Sequence, residues 1–220
     1  MAVKILMIDD HPLQIEGYKS VLSFNAKNLQ LQITAAYTCE SAYNIITDKT
    51  NLPDFDLVFL DRNLPPFKEK NIYSGDDLAQ LIKIHLPETK IVVLTSHSEP
   101  LMLYNIVKKI APAGLLVKSD FDGEELLVAF DKILSGETYQ SEIVKKTIKL
   151  FLEKEMFLDV IDREILGCIA VGTKTVNMPS QLNLSLSAIE KRKSKIKIYF
   201  GIDRGSDEDI IKAAKQEGFI

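Results

Sequence analysis

Only two cysteines occur among the 220 residues, Cys39 and Cys168, far apart, with no CxxC and no Cys/His cluster. That scarcity excludes a disulfide framework and a thiolate metal site, and it fits reduced, buried thiols in a cytosolic protein. Long hydrophobic runs are missing as well. The apolar opening Met1–Ile8 is closed by Asp9-Asp10 and is far too short for a signal peptide or a membrane span. No later stretch approaches the length needed to cross a bilayer, so a cytoplasmic protein without a membrane partner is expected. Repeats and low-complexity tracts are absent. An overall excess of positive charge is missing too, the formal net charge being -4. The charge is unevenly placed, however. Ser185 to Ile202 carries Lys191, Arg192, Lys193, Lys195 and Lys197 against one acid, Glu190, whereas the first part holds the acid pairs Asp9-Asp10 and Asp76-Asp77.

What is present is an alternation of short Val/Ile/Leu-rich runs with longer amphipathic stretches. Residues 3–8, 31–36, 56–60, 91–94 and 114–117 read as buried strands of a parallel sheet. Helices are expected at 12–24, 39–48, 74–85, 98–110 and 122–135. Five strand–helix units imply an open, doubly wound α/β sheet of flavodoxin type over residues 1–136. Beyond Gly136 only helix signals remain. A connecting helix is expected at 139–155 within a linker of 137–157. An all-α domain of 158–220 follows, with helices near 159–171, 178–183, 186–200 and 206–217.

Polar residues fall at the carboxyl ends of the expected strands, where open α/β sheets bind ligands: Asp9-Asp10, Asp61, Thr95 and Lys118. An aspartyl phosphate forms when a carboxylate attacks a phosphoryl group in line, and the spread negative charge of that transition state calls for a divalent cation. Mg2+ takes oxygen ligands and keeps several waters. Asp10 and Asp61 suit direct ligation, Asp9 ligation through water, and the backbone carbonyl of Asn63 a further place. Lys118 suits one phosphoryl oxygen and the Thr95 hydroxyl another. His11 is read as packing or capping the first helix rather than as a base, and His85 and His97 are given no role.

Asp-Asp-His-Pro at 9–12, Leu-Asp-Arg-Asn-Leu-Pro at 60–65, Leu-Thr-Ser at 94–96 and Leu-Val-Lys-Ser at 116–119 resemble the receiver domains of two-component response regulators over about residues 2–140. The resemblance implies that a sensor histidine kinase passes a phosphoryl group to Asp61 and that Thr95 and Lys118 report its arrival. It implies no enzyme of independent turnover. An Asp-dependent phosphatase would carry a second acid two residues after the nucleophile, where Asn63 stands. Two departures are visible. The glycine that receivers place about eight residues after the phosphoacceptor comes only at Gly75, which enlarges the loop 66–74. Leu115 occupies the place of the usual aromatic, so an aromatic rotamer switch is not expected.

Residues 158–202 resemble the helix-turn-helix of the NarL/FixJ (LuxR-type) regulators. Asp162-Arg163-Glu164-Ile165-Leu166, Gly172 and Gln181-Leu182-Asn183-Leu184-Ser185 carry the likeness, and Ile189, Ile196 and Phe200-Gly201 continue it. The helix after Ser185 would then enter a major groove of double-stranded DNA. Ser185, Ser187, Lys191, Arg192, Lys193 and Lys195 are the expected contacts, with the bases pointing outward, and a homodimer is expected on phosphorylation. Glu190 stands where the family has Lys, and Pro179 falls inside the support helix, which should therefore be short and begin near Asn177 or Met178. These two residues motivate an alternative, a phospho-dependent protein-interaction regulator that does not read DNA specifically.

Overall fold

Runs of five or six apolar residues remain in place as strands when both sheet faces are covered, and the chain supplies a helix after each. The computed structural model describes residues 2–48, 54–155, 158–202 and 205–220. Its strands are β1 (Val3–Ile8), β2 (Leu31–Ala36), β3 (Leu57–Asp61), β4 (Lys90–Thr95) and β5 (Gly114–Val117). They alternate with α1 (Pro12–Leu22), α2 (Cys39–Ile46), α3 (Gly75–His85), α4 (Pro100–Ile110) and α5 (Gly123–Leu134). All strand pairs are parallel, and with a further short strand, β6 (Tyr139–Gln140), the order is β2-β1-β3-β4-β5-β6.

The sixth strand corrects the expected five. β6 (Tyr139–Gln140) occupies the start of the stretch read as a helix from 139. The Tyr139 amide donates to the Ala113 carbonyl at 2.8 Å and the Ser141 amide to the Leu115 carbonyl at 3.1 Å. The Tyr139 ring is buried in the sheet's core, and its hydroxyl donates to Glu125 Oε1 at 2.6 Å. Core burial and ladder bonds outweigh helix propensity over those two residues. α6 (Glu142–Glu155) starts after them, with Asp120 accepting the Ile143 amide at 2.6 Å. The end of the expected linker, residues 156–157, lies outside the described residues.

By their contacts the residues divide into two compact units: Met1–Ser98 with Asn105–Lys145, and Glu99–Tyr104 with Lys146–Ile220. The core of the first is built from Ile5, Met7, Phe59, Val92, Leu94, Leu116, Phe130 and Ile133. The second contains α7 (Val160–Ala170), α8 (Met178–Leu182), α9 (Leu186–Tyr199) and α10 (Asp207–Gln216). These helices close over Ile165, Leu166, Ile169, Met178, Ile189, Ile196 and Ile210. α8 has its proline in the first turn and spans five residues, the short support helix that Pro179 required. Gly172 has φ +77°, the left-handed residue that ends α7.

Cys39 is buried, and burial pushes its thiol pKa up, with Asp77 adding to the shift. Cys168 departs from expectation. It is only half-buried, on the side of α7 that faces α8, with Sγ 3.6 Å from Gln181 Oε1.

Candidate functional site

The parallel register brings the strand ends to one level. Ile8 pairs with Leu60, Asp61 with Leu94, and Thr95 with Val117, so Asp9, Asp61, Thr95 and Lys118 all emerge at one edge of the sheet. That edge flanks β1 and β3, where the strand order reverses. Asp9 and Asp61 are buried, 2% and 3% exposed. Lys118 Nζ lies 2.8 Å from Asp9 Oδ2 and 3.2 Å from Asp61 Oδ2. Carboxylate oxygens of Asp9, Asp10 and Asp61 and a ring nitrogen of His11 all lie within 4.8 Å of one another.

Negative charge is in surplus: Asp9 and Asp61 share Lys118, and Asp10 meets the His11 ring instead. Burial pushes the Asp61 pKa above the ordinary carboxylate value, Lys118 opposes that shift, and Asp9 adds to it. One buried oxygen, Asp10 Oδ1, has no hydrogen-bond partner among the described residues; His11 Nδ1 approaches it to 2.8 Å without hydrogen-bond geometry. An orphaned, buried carboxylate oxygen beside two more carboxylates is a donor set for a hard cation.

His11 takes the N-cap position of α1, but its side chain makes no cap bond. Its ring turns to the acids instead, with Nδ1 also 3.2 Å from Asp9 Oδ1. The expectation that it only packs or caps is therefore revised. Thr95 is fully buried, and its hydroxyl oxygen accepts the His97 amide at 3.1 Å. His97, given no role from the sequence, brings Nε2 to 3.2 Å from the Asn63 side-chain amide. Leu115 is buried inside β5.

The enlarged loop closes on itself. Phe67 and Ile72 exchange backbone hydrogen bonds at 2.7 and 3.2 Å around a 3-10 turn, Lys68–Lys70, and Asn71 takes φ +55°. The Phe67 ring packs edge-on to Tyr43 of α2 at 5.7 Å, and Lys70 sits over the same ring at 5.6 Å. The loop returns to its start at Gly75, whose amide donates to the Arg62 carbonyl at 2.9 Å. Arg62 grips Asp76 with Nε and Nη2 at 2.9–3.2 Å. Sequence reasoning missed this fork, because nothing in the spacing of residues 62 and 76 pairs them.

In the second unit, Ser185 caps α9, its hydroxyl accepting the Ala188 amide at 3.2 Å, and Ser187 is exposed. Ile189 and Ile196 are buried, the inward face that was expected. The bases do not all point freely outward. Arg192 Nη1 donates to Asp159 Oδ2 and Asp162 Oδ1, each at 2.7 Å, and Lys195 Nζ donates to Asp162 Oδ2 at 2.6 Å. Lys193 Nζ lies 2.6 Å from Asp207 Oδ1, and Lys197 Nζ donates to the Gly205 carbonyl at 2.5 Å. Asp159 and Asp162 form the capping box of α7 and serve both purposes. Hydrogen bonding to Arg192 is the main cause that holds the Asp159 carboxyl below its ordinary pKa. The cationic partners of this Asp-x-x-Asp cap come from another helix, α9.

Among the described residues, no helix is long and apolar enough to cross a membrane. Over 206 residues the chain is 26% identical to the oxygen regulatory protein NreC of Staphylococcus haemolyticus, covering 88% of this chain and 89% of that protein. Over 220 residues it is 26% identical to the transcriptional regulatory protein MctR of Rhizobium johnstonii, covering 99% and 95%. Among solved structures it resembles the Salmonella typhimurium RcsB response regulator, with a TM-score of 0.74 and 19% identity over 97% of this chain and 99% of that one. It also resembles RcsB in a structure of two dimers bound to two parallel DNAs, with a TM-score of 0.67 and 21% identity over 98% and 99%. At these identities the structural likeness is one of fold. Residues 5–131, more than half of the chain and the part that carries Asp9, Asp61, Thr95 and Lys118, match the model of the response regulator receiver domain, and the chain belongs to that family.

Proposed function

We propose that this protein is a cytoplasmic transcription regulator switched by phosphorylation at Asp61. The carrying observation is the buried Asp61 carboxylate beside Asp9, Asp10 and Lys118 at one edge of a parallel sheet. We assign residues 1–136 to the receiver, 137–157 to a connector and 158–220 to a LuxR-type helix-turn-helix.

Asp10, Asp61 and the Asn63 carbonyl would hold Mg2+, with Asp9 contributing through water; the unpartnered Asp10 oxygen supports that set. The ion supplies positive charge that offsets the charge developing on the transferring phosphoryl oxygens. An Asp61 oxygen attacks phosphorus in line while the phosphorus–nitrogen bond of the kinase's phosphohistidine breaks. The imidazole keeps the electron pair and later takes a proton. Lys118 exchanges part of its contact with Asp9 and Asp61 for a phosphoryl oxygen. The Thr95 hydroxyl, which accepts from the His97 amide, turns its proton toward another.

Double-stranded DNA is the proposed output partner, bound by α9 in a phosphorylation-favoured homodimer. MctR is a transcriptional regulatory protein and RcsB dimers are seen bound to DNA, and both support that choice. The role is that of a switch, without turnover of an independent substrate. Incubation with labelled acetyl phosphate and Mg2+ should label the protein, and Asp61→Asn should abolish the label; a label that persists overturns the assignment.

A protein-interaction output has one observation in its favour, the acids that already engage Arg192, Lys193 and Lys195. A salt-dependent shift of random duplex by the purified protein argues against it.

A further inference from the structure

Five cations lie on α9, and four of them are already engaged. Asp162 is fully buried, yet it accepts from Arg192 Nη1 at 2.7 Å, from Lys195 Nζ at 2.6 Å and from the Asp159 amide at 3.1 Å. Withdrawing either cation would leave part of that buried charge uncompensated, which opposes their release to another anion. Lys193 is 12% exposed and is shared between Asp207 and the Thr175 hydroxyl, at 2.6 and 2.7 Å. Lys197 is spent on the Gly205 carbonyl. Lys191 differs: it is exposed and has no ion-pair or hydrogen-bond partner among the described residues.

Helical spacing puts Lys191 on a stripe with Ser187, Glu190, Ser194 and Ile198, all exposed. That stripe carries one positive and one negative charge. The side of α9 turned furthest from the core is thus nearly neutral, although the helix as a whole is strongly basic.

We infer that, of the five α9 cations, Lys191 alone makes the phosphate contact with a duplex, while Arg192, Lys193 and Lys195 are positioning residues held by Asp162 and Asp207. The groove then meets Ser187, Glu190, Lys191 and Ser194. Glu190 accepts from an amino group such as cytosine N4, and the two serines serve either base edge or backbone. This rests on the DNA-binding role proposed above. It narrows the contact set that the charge run alone suggested.

The test is anisotropy titration of a labelled random 20-base-pair duplex with the full chain, at salt concentrations from 50 to 200 mM. Each phosphate contact contributes about 0.9 to the slope of log affinity against log salt, or roughly a 3.5-fold loss over that fourfold range. Lys191→Ala should lower the slope by about that one contact per protomer. Lys193→Met and Lys195→Met, which keep the aliphatic stems, should leave the slope unchanged while lowering the melting temperature. Asp207→Asn should raise the slope by releasing Lys193, and Glu208→Gln, one residue along α10, should not. A slope that falls as much for Lys193→Met or Lys195→Met as for Lys191→Ala overturns the inference and leaves DNA binding standing. Wild-type protein with no salt-dependent binding overturns both.

Discussion

Gly75 offers the sharpest test of how the loop beside Asp61 is built. A Cβ added there would lie 2.3 Å from the Asp61 carbonyl oxygen and 2.9 Å from Arg62 Cα. Both obstacles are backbone, so no side-chain rotamer relieves the clash. Real Cβ contacts essentially never fall below 3.0 Å, so Gly75→Ala must drive the first turn of α3 and the end of β3 apart by about 0.7 Å. That movement breaks the 2.9 Å bond from the Gly75 amide to the Arg62 carbonyl and strains the Arg62–Asp76 fork. Overpacking of this kind costs about 1–3 kcal/mol, and the lost hydrogen bond about 1 kcal/mol more. Alanine's better helix propensity returns less than about 1 kcal/mol. The net loss, about 2–3 kcal/mol, should lower the receiver's melting temperature by roughly 6–12 °C by circular dichroism. Because the displaced oxygen belongs to Asp61, acetyl-phosphate labelling should slow as well. Gly17→Ala is the contrast. Beyond its chain neighbours and its own helix's backbone, nothing among the described residues lies within 4 Å of its added Cβ, and the position is exposed and mid-helix, so about 0.5–1 kcal/mol of stabilisation is expected. A Gly75→Ala protein that melts and labels like wild type refutes the close-approach account.

Mg2+ should raise the melting temperature of the wild type, by about 2.7 kcal/mol of stability at a hundred times its dissociation constant, and EDTA should reverse it. Asp61→Asn should melt above wild type when no divalent ion is present, and the Mg2+ response should shrink. The Asp61 pKa is raised, so its contribution favours folding below the ordinary carboxylate range and is lost as pH rises through the folded value. Melting curves at neutral and mildly acid pH should therefore bring the Asp61→Asn protein and the wild type closer together in acid. Asp159 has the opposite sign: its lowered pKa gives stability that is present above the ordinary value and lost as pH falls through the folded one. Asp159→Asn keeps a capping side chain and should flatten the acid limb of unfolding by a small amount, because the carboxylate is 52% exposed. Arg62→Ala should cost about 1 kcal/mol and bring proteolytic cutting to the loop 66–74, read by limited proteolysis.

The sheet was legible because parallel strands buried on both faces leave uninterrupted apolar runs, and the acids that end β1 and β3 stand out against them. β6 was not legible. Two residues give no periodicity, and Tyr139 merged into the amphipathic pattern of the helix behind it. The loop showed its length in the delay of Gly75 but not its closure, which depends on Phe67 meeting Ile72 and on Arg62 reaching Asp76. His11 was misjudged because its position before Pro12 reads as a cap, whereas the ring's direction depends on where Asp9 and Asp10 point. On α9 the apolar positions Ile189 and Ile196 were readable, yet the fate of the cations was not. Asp159, Asp162 and Asp207 lie 14 to 33 residues away and reach α9 only through the tertiary fold.

Both sites set carboxylates against cations, and the difference in balance explains what each can do. Asp9 and Asp61 share Lys118 and Asp10 meets the His11 ring, so the cluster sets three carboxylates against one lysine and holds an oxygen without a hydrogen-bond partner among the described residues. Such a cluster gains from added positive charge, which is the basis for proposing that a metal ion and a phosphoryl group act there. Around α9, Asp159, Asp162 and Asp207 meet Arg192, Lys193 and Lys195 one for one. A balanced set fixes the helix on its core and leaves little surplus field to attract a polyanion at a distance. On the proposed DNA-binding role, recognition by this helix would depend on what its exposed stripe contacts at close range and on two copies acting together, because a second protomer doubles the contacts without disturbing the internal pairs. On the proposed function, a reader that is electrostatically quiet as a single copy would depend on dimer formation to bind, and that dependence would let a charge change at Asp61 act as the switch.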